Sequence, residues 1–112
     1  MAAGDTRQPQ MAEALNRLWK QYLPAMGERV AVLEDAACAL GARKLTDDKR
    51  AAANSAAHKL AGVLGTFGLT QGTVLARRAE ALCSDDPGAH PGHAEQLARI
   101  AAELKAMIAE RK

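Results

Sequence analysis

The sequence predicts an all-α protein, an up-and-down antiparallel four-helix bundle whose first helix is short or kinked before Pro24. Three observations carry that reading. The 112 residues hold 26 alanines and 13 leucines but only six valines and isoleucines together, so the composition follows helix propensity rather than strand propensity. Apolar residues recur at intervals of three and four along most of the chain, the period of one helix face. The breaks between these stretches are short, which favours antiparallel neighbours.

Each element has its own signal. Residues 1–8 show no periodicity and read as a flexible N-terminal tail, leaving 9–112 as one bundle domain. Pro9 is tolerated at a helix start. Leu15, Leu18, Trp19, Tyr22, Met26, Val30, Leu33, Ala37 and Leu40 then form one apolar face, interrupted at Pro24, which lacks a backbone donor and crowds the preceding turn. A kink, or a break into two helices, is expected there, and Gly41 offers the stop. Thr46 is a hydroxyl N-cap followed by Asp47 and Asp48 at the positive end of the next helix, over about 47–65. A third helix is expected over about 69–84, carrying Gly72, Leu75, Ala79 and Leu82. Ser84-Asp85-Asp86-Pro87-Gly88 reads as a loop by turn chemistry. Pro91 can open the last helix, whose Leu97, Ile100, Ala101, Leu104, Met107 and Ile108 make the cleanest stripe of all.

Charge and composition exclude several classes. The formal net charge is +2, and the single Trp, Tyr and Phe are scattered along the chain, so nucleic-acid binding has little support. No apolar run approaches a membrane span, and residues 1–10 lack the apolar core of a signal peptide. A cytoplasmic protein is expected. Cys38 and Cys83 read as small buried hydrophobes rather than as a disulfide or redox pair.

The informative segment runs from Asn54 to Gly68. At ~100° per residue, Ala53, Ala56, Ala57, Leu60 and Leu64 share one direction, and His58 lies about 145° from it, toward solvent. The residues three, four and seven away from it (Ala51, Asn54, Ser55, Ala61, Gly62 and Gly65) are all small, where a solvent face ordinarily carries long polar side chains. Gly62 costs about 1 kcal/mol relative to Ala inside a helix, which close approach of another molecule would offset. One reading makes His58 a nucleophile on a surface cleared for a partner, since neutral imidazole carries phosphoryl groups as a reactive N–P species. The plainer reading is a surface histidine in a helix whose small residues follow from the alanine-rich composition.

Ala57-His58-Lys59-Leu60-Ala61-Gly62, followed by Gly68, resembles the motif of histidine-containing phosphotransfer (Hpt) domains, roughly His-x-Leu-Lys-Gly with a further Gly ten residues after the His. The resemblance takes in Leu23-Pro24 before the long helix and covers about residues 15–110. It implies that His58 accepts a phosphoryl group from a receiver-domain aspartate and passes it to another. It implies further that Gly62 lets the receiver approach, and that Leu60 and Gly68 pack or turn the chain. Asn54, Ser55, Lys59, Ala61, Gly65 and Arg77 then make up the docking and phosphoryl environment. Ala61 stands where the family often has Lys, and Val63 where some members have Ser. Lys59 is the nearby positive charge, though it projects about 100° around the helix.

The partners implied are receiver domains of response regulators or hybrid histidine kinases, with no nucleic acid, no membrane and a monomeric bundle. No phosphate-loop or nucleotide-binding motif is present, so no ATP-dependent kinase activity is expected. No cofactor of its own is implied, the Mg²⁺ coming from the receiver. Solvation is the plainer reading of the Arg77 and Arg78 pair, with phosphoryl or acidic-receiver contact as the other. His90 and His93 sit in a Pro/Gly loop without clustered acid or cysteine, so no metal site is expected. The alternative from a different class is an inert bundle of this kind acting as an adaptor or dimerisation module. The dimerising half of a histidine kinase is a further rival, but no catalytic lobe accompanies it.

Overall fold

The computed structural model describes the backbone over residues 2–84 and 92–111, with side chains from residue 10 onward. Four helices follow in order: α1 (Ala2–Gly41), α2 (Asp47–Thr66), α3 (Thr70–Leu82) and α4 (His93–Glu110). In space α1 neighbours α2 and α4, α2 neighbours α3, and α3 neighbours α4, which closes the bundle. The expected all-α four-helix bundle is what the chain forms. The tail expected over 1–8 falls where side chains lie outside the described residues, and Asp85, Asp86, His90 and Pro91 lie outside them altogether.

The break expected at Pro24 does not occur, because α1 continues through it to Gly41. Pro24 is on the exposed side of the helix, so the Lys20 carbonyl that loses its amide partner opens toward water instead of into the core. The apolar face of α1 is also covered over only part of its length. Trp19, Met26, Val30, Leu33, Ala37 and Leu40 are buried, whereas Leu15, Leu18 and Tyr22 are exposed.

The α2 start follows its sequence signal, with the Thr46 hydroxyl accepting the Lys49 amide at 3.2 Å. Its end is a Schellman turn: Gly68 takes φ +75°, Leu69 donates back to the Leu64 carbonyl and Gly68 to that of Gly65. A side chain at 68 would be strained in that conformation, which accounts for the glycine. The turn is short, so α3 folds directly back along α2.

Met26, Leu33, Leu60, Leu64, Leu97 and Leu104 fill the centre of the core, with alanines at the closest helix contacts. Cys83 belongs to this core, but Cys38 is exposed, contrary to expectation. It lies on the solvent side of α1 between the buried Ala37 and Ala39. The three scattered aromatics converge at one end of the bundle. Trp19 and Phe67 meet edge to face at 5.1 Å, Tyr22 and Phe67 at 6.1 Å. The Arg111 guanidinium lies 4.6 Å from the Trp19 ring centre and 5.2 Å from that of Phe67, a cation–π contact that ties the end of α4 to this cluster.

Candidate functional site

The site is built on the edge that α2 presents beside α3. Arg50, Asn54 and His58 follow one another at intervals of four, so they stand in a row along one side of α2. All three reach the C-terminal half of α3. Arg50 Nη1 donates to the carbonyls of Cys83 and Ser84 at 2.9 and 3.3 Å. Asn54 Nδ2 donates to the Glu80 carbonyl at 2.9 Å. The Cys83 and Ser84 carbonyls lie just beyond α3, and the Glu80 carbonyl, which also accepts the Cys83 amide, gains a second donor. These bonds fix the axial register of α3 against α2.

Register decides what His58 meets. Its side chain is 69% exposed, and its Nδ1 lies 2.9 Å from Oε2 of Glu80. A carboxylate only accepts hydrogen bonds, so the contact is made by an Nδ1–H donor. In the neutral ring that assignment leaves the Nε2 lone pair as the nucleophilic position. The arrangement supplies a nucleophile and a carboxylate that orients it.

The small residues around His58 divide into two groups. Gly62 is open, with no atom within 4 Å of where a Cβ would stand, and Ser55 and Lys59 are exposed beside it. Ala61, expected on the same surface, is instead buried, with 2% of its surface exposed. The cause is α3: Thr73 Oγ1 donates to the Ala61 carbonyl at 3.2 Å, which requires the two helices to lie close together at this point. Gly65 is affected by the same approach, because a Cβ there would lie 3.4 Å from the Thr73 hydroxyl. Ala61 is therefore small for helix packing, a Cβ at Gly65 would meet Thr73 in ordinary contact, and Gly62 is small where nothing packs. Arg77 is exposed on α3, one turn beyond Thr73 and one before Glu80, hence on the edge that borders α2. Toward α1, a groove of about 400 Å³ is lined by Tyr22, Arg29, Lys59, Gly62, Val63 and Phe67, among others.

Glu80, in contact with His58 Nδ1, is the residue of this site that the sequence reading missed. The signal was the turn itself: counting back along α3 from a fold centred near Gly68 brings residues in the upper seventies and Glu80 opposite His58. Glu80 is the one acid in α3.

The Hpt domain family matches residues 17–110. The chain belongs to this family. Hpt proteins are phosphotransfer carriers rather than kinases, and the matched range includes His58, Gly62 and Gly68. The chain is also 31% identical over 98 residues to Protein RcaC of Microchaete diplosiphon, an alignment that covers 88% of this chain and 15% of that relative. No solved structure matches it. Among the described residues no helix is long and apolar enough to cross a membrane.

Proposed function

We propose that this Hpt domain is a phosphorelay intermediate that exchanges a phosphoryl group between His58 and receiver-domain aspartates. The observation that carries the reading is the geometry of His58: exposed, held at Nδ1 by Glu80, and flanked on its own helix by the open α-carbon of Gly62. In the forward step the Nε2 lone pair attacks the phosphorus of an aspartyl phosphate in line. The N–P bond forms as the O–P bond breaks, and the aspartate leaves as a carboxylate. The Nδ1 proton stays in its hydrogen bond to Glu80, where the carboxylate offsets positive charge developing on the ring. The reverse step regenerates the neutral imidazole.

The receiver supplies the acceptor aspartate and the Mg²⁺ that screens the transferring charge. Lys59, next to His58 on α2, and Arg77, on the edge of α3 that borders α2, are exposed cations that could meet the charge of a docked phosphoryl group, and the groove beginning at Lys59 and Gly62 adjoins the receiver's footprint. Incubation with a phosphorylated receiver should place acid-labile, base-stable phosphate on His58. His58→Gln should abolish that labelling with a stability change under about 0.5 kcal/mol, as at exposed sites generally. Undiminished labelling of the variant would remove His58 from the reaction. Absence of labelling on the wild-type chain across the receivers of one genome would leave the adaptor function in its place.

A further inference from the structure

The groove between α1 and α2 has two unlike ends. The helices run antiparallel, since Tyr22 meets Phe67 toward one end and Asp35 meets Lys49 toward the other. Arg29, about midway between Tyr22 and Asp35 on α1, therefore stands across the groove from Lys59 on α2. Tyr22 is two helical turns from Arg29, about 10 Å along the axis. One end of the groove is thus cationic, at Arg29 and Lys59, and the other is aromatic, at Tyr22 and Phe67.

The cationic end has no counter-charge. Lys49 pairs with Asp35 and Lys105 with Glu34, whereas neither Arg29 nor Lys59 has an acidic partner among the described residues. No acid lines the groove among them either. Glu28 is exposed and turned about 100° from Arg29 on α1. Glu80 stands on the α3 side of α2, engaged with His58. Arg29 is half-buried, and a guanidinium partly withdrawn from water gains most from a carboxylate that it can grip with two N–H groups. The groove is complementary to a surface that brings an acid to one end and an apolar side chain to the other.

Its position says whose surface that is. The cationic end shares Lys59 and Gly62 with the surroundings of His58, so a molecule that delivers phosphorus to Nε2 covers it. Arg29 is on another helix from His58 and takes no part in the reacting atoms. We infer that Arg29, with Lys59, receives a carboxylate on the receiver's docking rim, while Tyr22 and Phe67 receive an apolar side chain beside it, a role that rests on the phosphotransfer reading of His58. Receivers with an acidic rim are then preferred over those with a basic one, and the preference acts on docking rather than on the transfer step.

Transfer from a phospho-receiver, followed over a range of receiver concentrations, tests this. Arg29→Glu should raise the half-saturating concentration about tenfold and Arg29→Met about threefold, with the rate at saturation held. Arg29→Met should also respond less to added salt than the wild type. Tyr22→Ala should raise half-saturation at any salt concentration. All three chains should keep their helical circular dichroism. Arg99→Glu makes the same charge change at an exposed position of α4, which neighbours α1 and α3 but not α2, and should dock like the wild type. Unchanged half-saturation in Arg29→Glu or Tyr22→Ala overturns the inference, as does an equal loss in Arg99→Glu or a fall in the saturated rate alone. Calorimetry of receivers against the His58→Gln chain separates this outcome from failure of the transfer reading. Binding that weakens about tenfold on adding Arg29→Glu supports the groove even where no phosphoryl group moves, and absence of binding by any receiver of one genome overturns it.

Discussion

Nδ1 of His58 and Oε2 of Glu80 lie 2.9 Å apart across the α2–α3 interface, and the backbone of Glu80 is itself held by Asn54 from one turn before His58. The carboxylate therefore reaches the ring from a fixed point, and the two helices cannot slide without separating them.

Glu80→Gln tests what that contact does. The amide keeps the length but both donates and accepts, so it no longer selects the Nδ1–H tautomer. Nitrogen NMR of the His58 ring should show a more even tautomer mixture. The rate of phosphoryl transfer from a phospho-receiver should fall by roughly tenfold, about 1.4 kcal/mol of barrier. Fold and melting temperature should stay near the wild type.

Gly62→Gln separates docking from helix energetics. Nothing lies within 4 Å of the added Cβ, and glycine costs about 0.5–1 kcal/mol inside a helix. Melting temperature should hold or rise, while transfer slows by about tenfold or more because the long side chain covers the approach to His58. Transfer at the wild-type rate would mean that the open surface at Gly62 has no part in docking.

Arg50→Met isolates the capping function of the row on α2. Methionine retains much of the apolar stem and helix propensity but loses both bonds to the Cys83 and Ser84 carbonyls. Chemical denaturation should show a loss of about 1 kcal/mol, and transfer from His58 should slow less than in Glu80→Gln, because Asn54 still holds the Glu80 backbone.

Burial pushes the Cys83 thiol above its ordinary range, against a smaller opposing effect of the Arg50 charge. The folded chain then keeps the thiol proton at a pH where the unfolded chain has released it. Stability contributed below the unfolded value is lost as pH rises, beginning near pH ~8.5. Urea titrations across this range should show wild type losing stability relative to Cys83→Ala, with a constant difference between the two at neutral pH.

The bundle was legible because its signals are local. The Thr46 cap, the Gly68 turn and the α4 stripe each specify an element from neighbouring residues alone. The outward direction of His58 was legible for the same reason, following from the helical period and five apolar neighbours. Glu80 was not, since its relation to His58 depends on how α3 slides along α2. That register is set by Asn54 and Arg50 bonding to carbonyls, a contact with no sequence pattern of its own. Ala61 was misplaced because an alanine fits both an open surface and a tight helix crossing. The approach of Thr73 decides between them. Pro24 was given too much weight as a breaker, because its cost depends on which side of the helix it occupies.

The short turn at Gly68 also governs the order in which the molecule can assemble. His58 and Glu80 are separated by 22 residues of chain, whereas Asn16 and Arg111, which meet beside that turn, are separated by 95. Loop-closure entropy grows with the logarithm of that separation, so bringing together the distant pair costs about 1.3 kcal/mol more than the near one. The α2–α3 hairpin is the part that forms from nearby contacts, and the α1–α4 pairing follows it. Hydrogen exchange should find the amides around His58 among the last to open, even while the far end of α4 frays from Trp19. Cells that expose this chain to heat or proteases would then lose the end of α4 before the histidine and its carboxylate part.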